Sequence, residues 1–194
     1  TYTVQEGDNS SDLDFTGTSA LTLNGGTIKA SNGAANNANL TLASPGAANS
    51  LADNSSIIVD TIAPTITVAI NDGGDGNLNA AEDSSVTISG TTSGVSDGQT
   101  VSINISSSGG GTPINTTATV NINSYSVAGL DLSSLNDGTL TITADVSDLA
   151  GNSATQASDS TTKDTSHINI SDPTKLEGLG LPQAGYAGWG AVAG

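Results

Sequence analysis

The chain has 194 residues, enough for one or two domains, and its 19 acidic residues against three lysines and no arginine give a formal net charge of -16. Phosphate groups and anionic lipids are bound mainly through Lys and Arg, so this charge argues against nucleic-acid binding and against docking on an anionic membrane. The sequence has no apolar run of about 18 residues, which argues against insertion into a membrane. The absence of Cys, with His167 as the single histidine, argues against disulfides and against zinc or copper sites.

The remaining composition is typical of an all-β protein. Thr, Ser, Val and Ile alternate along short segments, and clusters of Gly, Asn and Asp separate these segments. Aromatic residues make up only 3% of the chain and Met is absent. We therefore expect a core built from Val, Ile, Leu and Ala.

Residues 1–61 form the first of three zones. Five segments in it are β-branched or alternating and are bounded by turn residues, and we predict strands there. These strands are expected at 1–4, 13–16, 20–23 with 27–29, 39–42 and 56–59. About five strands in about 60 residues leave open sheet edges and a half-covered core. Either the zone is part of a domain cut at its start, or another chain supplies the missing strands.

Residues 62–165 form the second zone, which Pro64 joins to the first by an extended, stiff connection. Seven short strands separated by turn signals are predicted in it, a number that fits an immunoglobulin-like β-sandwich. Their predicted ranges are 66–70, 85–90, 100–106, 118–122, 124–128, 139–146 and 154–162. Residues 166–194 form a third zone rich in Gly and Ala, which we interpret as a linker, a tail or a segment that docks on a neighbour.

The loop from Asn71 to Glu82 is the strongest candidate metal site in the sequence. Aligned with the twelve-position calcium loop, it places Asn71 first, Asp75 fifth, Gly76 at the sharp turn and Glu82 at the bidentate twelfth position. Gly73 at the third position removes one ligand, and Asp72 either replaces that ligand or serves a different ion. The candidate oxygen ligands of the loop are Asn71, Asp72, Asp75, Asn77, Asn79 and Glu82. Such hard oxygen ligands point to Ca²⁺.

The second zone resembles the immunoglobulin-like repeats of giant bacterial adhesins, the type-1-secreted proteins of biofilm formation and host attachment. The resemblance is carried by residues 60–65, 71–82, 86–92, 127–138 and 144–152. Residues 1–15 and 21–29 resemble the C-terminal half of a related domain. Asp60-Thr61 and Lys163-Asp164-Thr165 bracket the second zone, and their recurrence about 100 residues apart favours a tandem array.

The resemblance implies calcium at and near the junctions between repeats. The matching positions are Asp60 in the junction, Asp72, Asp75 and Glu82 in the loop, Asp148 and Asn152 in a later turn, and Asp164 at the start of the next junction. From the arrangement of loops in such a sandwich, we expect Asp60, the 71–82 loop and residues 148–152 to converge at one end.

The predicted function is therefore structural and adhesive, not enzymatic. We expect a calcium-rigidified stalk or filament at the bacterial cell surface, outside the cell, whose partners are neighbouring repeats of the same protein. A head-to-tail homopolymer assembled by strand complementation between chains is one alternative. A module that binds carbohydrate or another surface ligand is a second, although Tyr125 and Trp189 offer it little support.

Overall fold

A computed structural model describes residues 2–31 and 36–166 of the chain; most of the tail predicted at 166–194 lies outside these ranges. One helical turn and nine strands make up its regular structure. They are α1 (Leu51–Asn54), β1 (Thr65–Ile66), β2 (Ala69–Asn71), β3 (Asn77–Leu78), β4 (Val86–Ser93), β5 (Thr100–Ser107), β6 (Ile114–Thr119), β7 (Ser124–Leu130), β8 (Gly138–Asp145) and β9 (Ala157–Lys163). Within the described ranges, no helix has the length and hydropathy needed to cross a membrane.

The strands form two sheets that pack face to face. In the first sheet β4 is central, with β1 and β2 paired one after the other along one side and β7 along the other. The second sheet has the order β3-β9-β8-β5-β6 and is antiparallel except for the parallel pair β3–β9. The chain thus crosses from the first sheet to the second between β2 and β3. This arrangement confirms the predicted immunoglobulin-like β-sandwich.

The core lies between the two sheets and is almost wholly aliphatic. Alternate residues of the long strands point inward, as in β5, where Val101, Ile103 and Ile105 are at most 2% exposed. Leu140 and Ile142 of β8 do the same from the next strand. Every buried hydrophobic residue of the described ranges lies between positions 70 and 146, so the sandwich has a hydrophobic core of its own.

The sandwich has two ends, which we call poles. The N-terminal pole is where the chain arrives before β1, and it carries the connections at 94–99, 120–123 and 146–156. The C-terminal pole carries the connections at 72–85, 108–113 and 131–137, and the chain leaves β9 there.

The predicted strand at 118–122 is displaced in the structure, where β6 is Ile114–Thr119. Ile122 and Asn123 have φ angles of 48° and 56° and form the turn into β7, and the Ile122 side chain is 80% exposed. A β-branched residue in this left-handed region is uncommon. The alternating pattern of the sequence therefore continues to Ile122, although β6 ends at Thr119.

Residues 2–62 do not contain the five predicted strands. The described residues of this segment form only two isolated bridges, Ser10–Val59 and Lys29–Asn37, and the helical turn α1. In the part of the chain that the structure describes, most of the large apolar side chains of this segment are exposed, so its extended stretches lack the packing that stabilises a sheet. Among residues 2–31 and 36–166, the exposed large hydrophobic side chains other than Ile122 and Leu149 all belong to this segment: Tyr2, Val4, Leu13, Leu21, Ile28, Leu51, Ile57, Ile58 and Ile62.

Candidate functional site

The predicted metal ligands are divided between the two poles. Asp60, Asp148 and Asn152 lie at the N-terminal pole, whereas the 71–82 loop and Asp164 lie at the C-terminal pole. The expected convergence of all three groups at one end is therefore wrong. The reason is that β1 and β2 together run the length of the sandwich, so the loop that follows them is at the far end from the junction.

The 71–82 loop is organised by its own side chains. Four of its candidate ligands each accept the backbone N–H two residues further along the chain, a turn that Asn and Asp form readily. These residues are Asn71, Asp72, Asp75 and Asn79, at oxygen–nitrogen distances of 2.8–3.2 Å. Asn77 begins the short strand β3, and its side-chain amide donates to the Asp75 carbonyl. The loop oxygens thus already hold hydrogen bonds to backbone amides.

Glu82 folds back over the beginning of the same loop. Its Oε2 accepts the N–H of Asn79 at 3.1 Å. A Cβ on Gly73 would lie 2.7 Å from Glu82 Oε1, and Gly73 has a φ of +81°. Glycine is required there for both its conformation and the close approach of the carboxylate. Gly73 offers no side-chain oxygen at the third position of the calcium-loop alignment. Its lack of a side chain leaves room there for the carboxylate of Glu82, which occupies the twelfth position.

Asp72 also fastens the loop to the last strand. Its Oδ2 accepts the hydroxyl of the buried Thr161 at 2.8 Å, and this bond lowers the pKa of Asp72. A second link lies nearby, where Oδ2 of Asp159 accepts the N–H of Ile70 at 2.9 Å. Together these bonds connect β2 of one sheet with β9 of the other. Sequence reasoning did not identify Asp159, since its partner is 89 residues away.

Lys163 is a buried cation beside the 71–82 loop. Its ammonium donates to the carbonyls of Leu132 and Leu135 at 2.8 Å each and lies 3.0 Å from Oδ2 of Asp83. Three oxygens therefore surround the three hydrogens of the ammonium. Sequence reasoning missed this group, although Lys163 occupies an inward-facing position of β9. The charge of the Lys163 ammonium is thus balanced by the Asp83 carboxylate.

At the N-terminal pole, Asn152 joins the junction to the sandwich. Both oxygens of Asp148 accept hydrogen bonds from Asn152, one from its backbone N–H at 2.8 Å and one from its side-chain amide at 2.9 Å. These bonds, first of all the one from the side chain, lower the pKa of Asp148. The same amide donates to the backbone carbonyl of Asp60 at 3.1 Å. Asn152 is therefore in contact with both Asp60 and Asp148.

The donor set matches calcium in kind, because it consists of carboxylate, amide and carbonyl oxygens. The number of ligand side chains that come together is smaller than a calcium site needs. Within residues 2–31 and 36–166, no three His, Cys, Asp or Glu side chains come close enough together to hold a metal ion. Asp72, Asp75 and Glu82 each accept hydrogen bonds within the protein, and as carboxylates they keep further lone pairs that a cation could use.

The two junctions share the same hydrogen-bond pattern. Val59 bridges Ser10 in the antiparallel sense, and Lys163 pairs with Gly138 in the same sense. Next comes an aspartate whose side chain accepts the N–H two residues on: Ile62 bonds to Asp60, and Ser166 bonds to Asp164, both at 2.9 Å.

The threonine after each aspartate is held in the same way. The N–H of Thr61 donates to Oδ1 of Asn9 at 2.9 Å, and Asn9 directly precedes the bridge residue. The N–H of Thr165 donates to Oδ1 of Asp137 at 3.1 Å, and Asp137 directly precedes Gly138. The two threonines are 104 residues apart (165 − 61). The segment before the sandwich therefore ends in the same way as the sandwich itself.

No protein-family model and no curated protein matches the chain. It is similar to the solved structure of a tetra-tandem repeat in the extending region of a large adhesion protein, with 36% identity over 55% of this chain and a TM-score of 0.46. The chain spans 26% of that structure. It is also similar to a bacterial immunoglobulin-like domain from the M. primoryensis ice-binding adhesin, with 32% identity over 53% of this chain and 98% of that domain, and a TM-score of 0.35.

Both TM-scores are below 0.5, so the likeness to these structures lies in the sequence. An identity of 32% extends over nearly the whole of the immunoglobulin-like domain. The two sheets described above have the architecture of an immunoglobulin-like domain. The chain therefore contains, as its sequence predicted, a bacterial immunoglobulin-like domain similar to those of adhesins.

Proposed function

We propose that this chain is a repeat region of a bacterial surface adhesin, in which sandwiches joined in series form a stalk outside the cell. The observation that carries the proposal is the recurrence of one junction at residues 59–61 and 163–165. A junction that repeats its hydrogen bonds suits a series of modules. The two similar structures come from a large adhesion protein and an ice-binding adhesin, which supports the same role.

Calcium is the second part of the proposal. A net charge of -16 makes the acidic loops repel one another, and a divalent cation would reduce that repulsion. Candidate ligands at the C-terminal pole are Asp72, Asp75 and Glu82, and those at the N-terminal pole are Asp60, Asp148 and Asn152. When bound, calcium would supply positive charge between oxygens of the linker and of the loops.

The chain's own residues would perform the remaining work. Hydrogen bonds between side-chain oxygens and backbone N–H groups fix the conformation of the 71–82 loop before any cation arrives. Asp72, through Thr161, ties that loop to β9, so a change in the loop would reach the strand that leads into the next junction. Without calcium the junctions would bend more freely and would be cleaved more readily by proteases.

The test compares the full chain in EDTA, in Ca²⁺ and in Mg²⁺. We expect Ca²⁺ to raise the melting temperature, to lengthen and narrow the dimensions measured by small-angle X-ray scattering, and to slow proteolysis near residue 60. Mg²⁺ controls for screening by a divalent charge. If EDTA leaves both the melting temperature and the solution dimensions unchanged, the calcium mechanism is wrong.

A filament assembled by strand complementation is a second candidate, and the exposed apolar side chains of residues 2–62 favour it. A sheet supplied by another copy would cover these side chains, and a heterologous contact of that kind builds filaments. Electron microscopy and size-exclusion chromatography at increasing concentration test it. Regular filaments support complementation, whereas isolated short rods at all concentrations contradict it.

A carbohydrate-binding module has no comparable support. Tyr125 is 3% exposed and its hydroxyl donates to the carbonyl of Thr67 at 2.6 Å, so its ring is not available as a platform for a sugar. Trp189 lies outside the described residues.

A further inference from the structure

The linker before the sandwich is held from both sides. On one side Thr61 bonds to Asn9, which belongs to the preceding segment. On the other side the carbonyl of the adjacent Asp60 accepts the side-chain amide of Asn152, which belongs to the sandwich. Of these two neighbouring linker residues, Thr61 is thus bound by the preceding segment and Asp60 by the sandwich.

Asn152 is oriented for this contact by the sandwich alone. Its side-chain amide has two hydrogens, and one of them bonds to Oδ2 of Asp148. The backbone N–H of Asn152 bonds to the other oxygen of Asp148, and its carbonyl accepts the N–H of Asp148. Asp148 is only 7% exposed. The second amide hydrogen is therefore aimed at the linker by a closed turn that does not depend on the linker.

Of the two contacts that hold the linker before the sandwich, the described residues at the C-terminal pole show only the one to the threonine. Thr165 is held by Asp137, as Thr61 is held by Asn9, and Ser166 closes the turn on Asp164. Asp164 is exposed, and none of the described residues donates a hydrogen bond to its backbone carbonyl. Asp164 thus corresponds to Asp60 without the amide that Asp60 receives.

We infer that the carbonyl of Asp164 is a docking point for a second copy of this sandwich, and that the incoming copy binds it through the side-chain amide of its own Asn152. The inference rests on the proposed series of sandwiches, but it does not require calcium. A hydrogen bond between two protein groups would then set the orientation of successive modules. The surface consists of Asp164, Thr165 and Ser166, and its partner is the turn from Asp148 to Asn152.

The test uses the full chain with a second copy of residues 62–166 placed directly after Thr165. Asp164 and Thr165 then stand before the same sequence that follows Asp60 and Thr61. Because the chain has no Cys, Ser102→Cys in each sandwich gives two unique sites for nitroxide labels. Double electron–electron resonance in EDTA measures the distance between the two exposed positions on β5.

We expect a narrow distance distribution that becomes broad when Asn152→Ala is placed in the second copy. The matched control places Asn152→Ala in the first copy, where Asn152 contacts Asp60 and not Asp164, and it should leave the distribution narrow. The control also carries the same substitution in the same fold. Equal widths with and without Asn152 in the second copy, or equal broadening from either copy, would overturn the inference.

Adding Ca²⁺ separates this inference from the proposed calcium mechanism. If Ca²⁺ narrows the distribution but Asn152→Ala in the second copy has no effect in EDTA, the docking point is wrong and the calcium proposal stands. If the substitution broadens the distribution and Ca²⁺ changes nothing in the unsubstituted protein, the docking point stands and the calcium proposal fails.

Discussion

The ammonium of Lys163 lies 3.0 Å from the carboxylate of Asp83, and both side chains are buried beneath the C-terminal pole. The carbonyls of Leu132 and Leu135 complete the surroundings of the ammonium. Breaking a buried pair by removing one partner leaves an uncompensated charge. Lys163 therefore links the last strand both to the loop before β4 and to the connection between β7 and β8.

The substitution Lys163→Met should destabilise the protein by about 3–5 kcal/mol, since it leaves the Asp83 carboxylate buried without a partner. Replacing both residues, with Lys163→Met and Asp83→Leu together, should recover much of this loss because no buried charge remains. Urea unfolding followed by circular dichroism measures both. Equal losses in the single and double variants would show that the unpaired charge is not the cause.

Gly90 lies where β4 passes the break that separates β1 from β2. A Cβ at this position would lie 2.0 Å from the carbonyl oxygen of Thr67 and 2.6 Å from the Tyr125 hydroxyl. Gly90→Ala should therefore destabilise the sandwich by at least about 1–3 kcal/mol, the range for overpacking a core. Gly17→Ala is the control, because a Cβ there meets no atom within 4 Å and the backbone is not left-handed. A similar melting temperature for both variants would contradict this account.

The Asp148 turn predicts a dependence of stability on pH. Hydrogen bonds from Asn152 lower the pKa of Asp148 in the folded state, so the folded protein binds this proton more weakly than the unfolded chain does. Its contribution is present above the unfolded pKa, about 4, and is lost as the pH falls through the folded value. The melting temperature should thus fall less steeply between neutral and acidic pH in Asp148→Asn than in the unsubstituted protein. Parallel curves would contradict the prediction.

If calcium binds the 71–82 loop, Glu82 should be one of its strongest ligands. Glu82→Gln removes a charged oxygen and should weaken calcium binding by about tenfold or more, since ligand charge sets the affinity of such loops. Asp97→Asn is the matched control at the opposite pole, where its side-chain oxygen can still accept the N–H of Ile122. Isothermal titration calorimetry measures both. Equal affinities would remove Glu82 from the site.

The long inward-alternating strands could be predicted from the sequence because burial and alternation agree in them. The start of β5 and the inward faces of β4 and β8 follow directly from this pattern. The turn at Ile122 could not be predicted in this way, because an isoleucine in a left-handed conformation continues the apolar period while ending the strand.

The candidate site was predictable in its residue types but not in its placement. The loop oxygens are evident in the sequence, yet their separation from Asp60 follows from the length of the first strand pair, which only the fold supplies. The burial of Lys163 could have been predicted from the sequence. A lysine at an inward position of a strand must have its ammonium paired with oxygen atoms of the protein. The hydrogen bond between Asp137 and Thr165 could not be predicted in this way, since 28 residues separate the two.

The parallel pairing of β3 with β9 has a mechanical consequence. A stalk under tension would pull β2 toward the N-terminal pole and β9 toward the C-terminal pole. The bonds from the Ile70 N–H to Asp159, from the Thr161 hydroxyl to Asp72 and along the β3–β9 pair would then be sheared together instead of opening one after another. Resistance to force depends on the rate of unfolding. The same contacts that close the edge of the sandwich would therefore act as its clamp against stretching.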